Sequence, residues 1–347
     1  MFKKAHNYLL LMRKFALQGH LPVWRQCYEM LVIYLKCQIG PGYYLAGRFG
    51  RRDLSFSDKL NYYNAKGYKK RIYELNVASF RKLSQHKVAE AAMLNYFSIP
   101  TPESLGFYHH KTGQDRRGMP LKNGVDLIHL LEIQNVNRFV VKPCQGFGGR
   151  GVNVVELLSG GLLRLLGQAE TLSADTFIDQ FLDSEGGYLI QKYFQQHPKL
   201  AELNPSSVNT VRMFVFAPKD KKPLCIGAYL RIGRAGASVD NGSSGGFYAN
   251  VNLETGEVGS GCFSKPSVEL YDAHPDSGVK IKGQFLPFLD EAKELSIKAL
   301  DCFFETRFVG LDIAFGPNGP VVIELNVEPD YVGFAILGLP SKKALSD

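Results

Sequence analysis

The 347-residue chain has no run of 18 apolar residues, so the sequence predicts no membrane-spanning helix. Its most apolar early segment, residues 23–39, is broken by Arg25, Glu29 and Lys36. The opening MFKKAHNYLLLMRKF is basic, but its apolar run is too short for a signal peptide. The six cysteines form no CxxC pair, which argues against a disulfide framework or a zinc site and for reduced thiols in a cytoplasmic protein. The eight histidines make no HxxxH or HExxH spacing. No GK[ST] ends the glycine-rich segment and no GxGxxG opens a helix, which excludes a P-loop and a dinucleotide fingerprint. Acid is scarce at one end. Residues 1–75 carry 14 Lys/Arg against 4 Asp/Glu, a net of +10, while the rest carries 27 against 29, a net of −2. That segment also holds 9 of the 17 tyrosines. A basic, Tyr-rich segment suits an anionic membrane surface or a polyanionic substrate, and peripheral membrane attachment is the alternative to a purely cytoplasmic protein. The same composition also describes a solvated helical face with snorkelling lysines. Nucleic acid is disfavoured, because no recognised binding motif accompanies the charge.

The pattern along the chain predicts helices over residues 1–40 and 55–80. A further helix runs to about Tyr96 with Ser84 as its N-cap, and IPTP (99–102) ends it. SLGFY reads as a strand and VDLIHLLEIQ (125–134) as a helix. RFVVKPC (138–144) and VNVVELL (152–158) read as strands joined by the loop QGFGGRG. After a helix at 174–183, YLIQKYF (188–194), VNTVRMFVF (208–216), LCIGAYLRIG (224–233) and GGFYANVNL (245–253) read as strands. Residues 287–305 form an amphipathic helix, and 308–327 a closing hairpin.

That hairpin places acids in otherwise apolar strands: Asp312 in FVGLDIAFG, and Glu324 with Asn326 in VVIELNVEPD. A two-residue Asn-Gly turn would set Asp312 against Leu325. A three-residue Pro-Asn-Gly loop, with Gly319 at positive φ, sets Asp312 against Glu324 and Gly310 against Asn326. The second register is the one expected, because it gathers Leu311, Ile313 and Phe315 with Val321, Ile323 and Leu325 on one apolar face. Two opposed carboxylates call for positive charge between them, and oxygen ligands from Asp312, Glu324 and Asn326 suit Mg²⁺. The alternative is a strand facing water. Upstream, Lys142 ends an apolar strand just before glycines 146, 148, 149 and 151, a loop whose backbone N–H groups can approach phosphate. Arg212 and Arg231 interrupt apolar strands, and their forked guanidinium groups suit phosphate or carboxylate. Asn209 and Asn241 are weaker candidates in the same area.

Together these features resemble the ATP-grasp superfamily over residues 84–334, with ELN at 324–326 the sharpest match. Residues 204–216 and the GGFYANVNLETG region look most like its sugar-transfer-associated subgroup, and the C-terminal half is similar to ribosomal-protein-type glutamate ligases. The tail VEPDYVGF departs from the family pattern on the acceptor side. The resemblance implies an α+β ATP-grasp fold, two subdomains clamping ATP, preceded by a basic helical segment. The expected division is 1–80, 81–195 and 196–347. It implies an ATP-dependent carboxylate–amine ligase, acting through an acyl phosphate on small-molecule or peptide substrates. The alternatives are a kinase of a sugar or polyol, or a non-catalytic nucleotide-binding module of a glycan assembly system. Lys87 and Lys142 would hold phosphates, with Gly146, Phe147, Gly148 and Gly149 as a backbone lid. Gln191, Lys192 and Phe194 would receive adenine. Asp312, Glu324 and Asn326 would bind two Mg²⁺ ions, with Mn²⁺ as an alternative. Arg212, Arg231 and Asn241 would serve the transferred phosphoryl group.

Overall fold

In the computed structural model, residues 2–146, 148–183, 185–237, 240, 245–263 and 269–347 are described. Among them, twelve strands form two six-stranded sheets, antiparallel throughout. The first sheet contains β1 (Ser104–Tyr108), β2 (Gln114–Asp115), β3 (Arg138–Pro143), β4 (Asn153–Leu157), β5 (Leu163–Leu165) and β6 (Tyr188–Lys192), in the order β2-β1-β6-β3-β4-β5. The second contains β7 (Thr210–Phe216), β8 (Leu224–Ile232), β9 (Phe247–Val251), β10 (Val258–Phe263), β11 (Phe308–Gly316) and β12 (Gly319–Asn326), in the order β10-β9-β8-β7-β11-β12.

Seven helices precede the first sheet: α1 (Phe2–Leu17), α2 (Val23–Cys37), α3 (Pro41–Ala46), α4 (Phe56–Lys59), α5 (Ala65–Leu75), α6 (Ala78–Gln85) and α7 (Lys87–Tyr96). The others are α8 (Gly124–Ile133), α9 (Ala174–Phe181), α10 (Pro198–Leu203), α11 (Leu289–Asp301), α12 (Val332–Leu337) and α13 (Ser341–Ala344). Ser84 is not the N-cap of α7. It lies inside α6, where its Oγ donates to the Arg81 carbonyl at 3.2 Å, and this local bond removes it from capping duty.

β11 is buried along its whole length because helices cover both faces of its sheet. On one side α11 lays down Ala292, Leu295, Ala299 and Leu300, an i, i+3, i+7, i+8 stripe, against Leu311, Ile313 and Phe315. On the other side the N-terminal helices and α12 cover Phe214, Phe216 and Phe308. The tyrosines of the basic segment therefore divide. Tyr43, Tyr44, Tyr62 and Tyr68 belong to this core, while Tyr28 and Tyr34 stay exposed. Asn76, fully buried, ties the layers together. Its amide donates to the Phe308 and Val327 carbonyls at 2.8 and 2.7 Å and accepts from the Arg307 and Phe308 N–H groups.

The closing hairpin has the expected pairing at its functional end, with Gly310 opposite Asn326, Leu311 opposite Leu325 and Asp312 opposite Glu324. It differs at the tip. Gly316 pairs with Gly319 across a two-residue Pro317–Asn318 connection, and the register shifts at Ile323, which has no partner. This bulge moves Val322 rather than Val321 or Ile323 into the core beside Ile313, and turns Ile323 toward the cleft next to Glu324. Gly319 does adopt a positive φ, +138°.

Candidate functional site

One cleft between the two sheets is lined by nearly all the residues singled out from the sequence. Lys87 enters from the first turn of α7, Lys142 from the end of β3, and Gly146, Gly148 and Gly149 from the β3–β4 loop. Gln191, Lys192 and Phe194 come from β6 and the segment after it. Arg212, Arg231, Asp312, Glu324 and Asn326 come from β7, β8, β11 and β12. Phe147 and Asn241 lie outside the described residues. Gly148 and Gly149 have φ of +70° and +67°, so the loop takes a path that a side chain would strain. Asn209 is a structural residue: it is buried and its amide donates to Gln196, Leu200 and Asn204.

The positive charge that the opposed carboxylates call for is supplied by side chains. Arg212 reaches Asp312 through Nε at 2.5 Å and Nη2 at 3.1 Å, and Arg231 Nη1 lies 2.7 Å from the same carboxylate. Glu324 accepts from Lys87 Nζ at 2.7 Å. Gly310 makes the first contact feasible, since a Cβ there would stand 2.9 Å from Arg212 Cδ. Burial works to raise the Asp312 carboxyl, but the two guanidinium groups outweigh it and hold the group at about 2. Burial also opposes the charge on Lys87, yet Glu324 prevails and its pKa is raised. Among the described residues Lys142 has no such close anion. Burial, reinforced by the charge of Lys87, lowers it to about 8. The residues expected to receive adenine are mixed in character: Gln191 is buried, its Oε1 without a partner among the described residues, whereas Lys192 is exposed and stands 3.8 Å from Glu103. Burial pushes the Cys144 thiol up to about 12, which leaves it inert beside the loop.

Sequence reasoning missed two acids. Glu90 lies one helical turn after Lys87, and that i, i+3 spacing was a readable signal. Its Oε1 accepts from the Leu325 N–H at 2.9 Å, its Oε2 is buried without a partner among the described residues, and burial together with Glu324 raises its pKa well above the ordinary carboxylate value. Asp240 accepts from Arg231 Nη2 at 2.9 Å and from the Thr210 N–H and hydroxyl. Burial raises its pKa although Arg231 opposes the rise. Nothing in the local pattern distinguishes Asp240 from its neighbours. The arrangement can hold a polyanion between Lys142 of the first sheet and the second sheet, whose strands carry both the two arginines and the oxygen ligands.

A family model described as sugar-transfer associated ATP-grasp matches residues 66–344. No curated protein sequence matches the chain. Among solved structures, a biotin carboxylase from Campylobacter jejuni is similar at 13% identity and a TM-score of 0.41, covering 76% of this chain and 48% of its own. A RimK domain protein from Sphaerobacter thermophilus is similar at 13% identity and a TM-score of 0.42, covering 77% and 69%. The D-alanine-D-alanine ligase of Coxiella burnetii is similar at 10% identity and a TM-score of 0.43, covering 81% and 64%. The chain thus spans about half of the first of these proteins, 48%.

Proposed function

The chain belongs to the sugar-transfer associated ATP-grasp family, and from that premise we propose that it is an ATP-dependent carboxylate–amine ligase. ATP is consumed as a co-substrate. A substrate carboxylate oxygen attacks the γ-phosphorus and ADP leaves; an amine then attacks the acyl carbon of the acyl phosphate, and inorganic phosphate leaves with the amine proton released. The observation that carries this reading is the convergence of Lys87, Lys142, Arg212, Arg231, Asp312, Glu324 and Asn326 on one cleft.

Phosphoryl transfer is chiefly a matter of positioning and charge. In this reading Lys142 and the backbone of Gly148 and Gly149 hold the β- and γ-phosphates. Lys87 leaves Glu324 to join them. Arg231, held by Asp240, faces the transferred group, and Arg212 steadies Asp312. Val140, Val154, Leu189 and Phe194 offer apolar walls to the adenine, with Gln191 at its edge. The donor set fits magnesium: Asp312, Glu324 and Asn326 are hard oxygen ligands on adjoining positions of β11 and β12. The Asn326 amide nitrogen is buried without a partner among the described residues, so no contact with them fixes how the amide points. Bound there, Mg²⁺ would offset phosphate charge. The division into 1–80, 81–195 and 196–347 belongs to the same proposal.

The test is ADP release over panels of acids and amines in the presence of Mg²⁺. Lys142→Ala and Glu324→Ala should each lower turnover by roughly 10²–10³-fold, by analogy with loss of a preorganised charge-stabilising group. Full turnover in both variants overturns the site. Phosphate retained in the organic product rather than released would identify a kinase instead.

A further inference from the structure

The helix α2 reverses the usual amphipathic arrangement. The face it packs against the protein carries Gln26, Glu29 and Ile33. Gln26 Nε2 donates to the Met12 and Leu21 carbonyls at 3.2 and 2.6 Å, and Glu29 accepts from Lys59 Nζ at 2.8 Å and the Tyr44 hydroxyl at 3.0 Å. The outward face carries Trp24, Tyr28, Leu31 and Leu35 at i, i+4, i+7 and i+11, exposed by 70, 51, 58 and 71%. Tyr34 stands beside them, and α1, which meets α2 at Met12, adds exposed Leu10 and Leu17. A helix folded only to cover its own core would place these residues inward.

The surrounding charge indicates what covers them. Residues 1–52 contain nine Lys/Arg and one acid, Glu29, which is the buried one. Lys3, Arg13, Lys14, Lys36 and Arg52 are exposed, so every exposed formal charge in this stretch is positive. Two copies meeting through this face would bring like charge against like charge. Trp and Tyr with leucines, rimmed by Lys and Arg, is the composition of a helix lying in a membrane interface. The helix has 15 residues, and among the described residues no helix is long and apolar enough to cross a membrane.

We propose that α2 docks the protein on an anionic lipid bilayer, its Trp24–Leu35 stripe inserted at the headgroup level and the neighbouring cations against lipid phosphates. Trp24 is the chain's only tryptophan, so its emission reports insertion directly. The full chain is mixed, without ATP, with vesicles of phosphatidylcholine and phosphatidylglycerol in equal parts, and with phosphatidylcholine alone. A blue shift and co-sedimentation are expected with the anionic vesicles only. Both should weaken as salt rises from about 0.1 to 1 M, where screening shortens from about 10 to 3 Å. Leu31→Asp with Leu35→Asp, checked for folding by circular dichroism, should lower partitioning by roughly tenfold or more for each leucine lost. Should that pair disturb folding, Lys14→Glu with Lys36→Glu, both at exposed positions, must weaken anionic binding in its place. Absence of binding, equal binding by the folded variants, or a concentration-dependent dimer that the leucine pair abolishes each overturns the proposal. None of these readouts depends on the ligase reading.

Discussion

Single side chains set the electrostatic state of the cleft. Lys142 is the group whose charge lies within reach of ordinary buffers, because burial lowers its pKa to about 8. A lowered lysine pKa means the folded protein gives up that proton more readily, so the cation is present below about 8 and lost above it. ATP binding should therefore be flat between about pH 7 and 8 and weaken by roughly tenfold per unit above that, since one proton is linked to binding. Titration calorimetry across pH checks this, and a flat profile to pH 10 refutes it. Gly310 is the second such residue. An alanine there would place its Cβ 2.9 Å from both Arg212 Cδ and Pro329 Cβ. Gly310→Ala should displace Arg212 from Asp312 and reduce ADP release by roughly 10²-fold, the scale of a misplaced catalytic group. Glu90 was legible at this scale as a carboxylate on the same helix face as Lys87. Its burial against Leu325 was not, because that contact joins residues distant in the chain.

At the scale of elements, the hairpin of β11 and β12 shows how far local pattern reaches. Alternation of side chains correctly set Asp312 against Glu324 and Gly310 against Asn326. It failed at the tip, where the two-residue connection and the bulge at Ile323 trade one register for another. A bulge is settled by how the strand packs against α11 and the cleft, which alternation does not encode. Helix α2 depends in a different way on a buried pair. Lys59 Nζ and Glu29 lie 2.8 Å apart with side chains only 2 and 3% exposed. Lys59→Met would leave Glu29 with the Tyr44 hydroxyl and Arg25 at 3.5 Å. It should cost about 3–5 kcal/mol in urea unfolding, the range for breaking a buried ion pair from one side. Adding Glu29→Leu should restore most of that stability, and a single variant as stable as wild type would disprove the dependence.

For the whole molecule, the N-terminal helices are a structural layer as well as a charged surface. They cover Phe214, Phe216 and Phe308, which lie on the same face of the sheet as Arg212 and Asp312 but toward the other strand ends. Removing residues 1–75 would expose those rings together with Tyr229 and Phe334. The shortened chain should aggregate more than the full chain, as size-exclusion chromatography would show; a shortened chain that elutes as well as the full one with intact ATP binding would mean the layer is dispensable.

The amino-acid sequence by itself carried the ATP-grasp fold as a family resemblance, and it determined the strand alternation of an α+β chain, the glycine loop beside Lys142, and the facing of Asp312 and Glu324. These follow from a period of two in strands, from turn chemistry and from the few side chains that suit phosphate and Mg²⁺. Only the tertiary structure decided that Arg212 and Arg231 neutralise Asp312, that Asp240 backs Arg231, and that α2 turns its aromatic face outward while burying Gln26 and Glu29. Asp312 draws its arginines from 100 and 81 residues away and Asp240 lies nine residues from Arg231, and these contacts form where burial makes an unpaired charge too costly to leave alone, a condition no local pattern records.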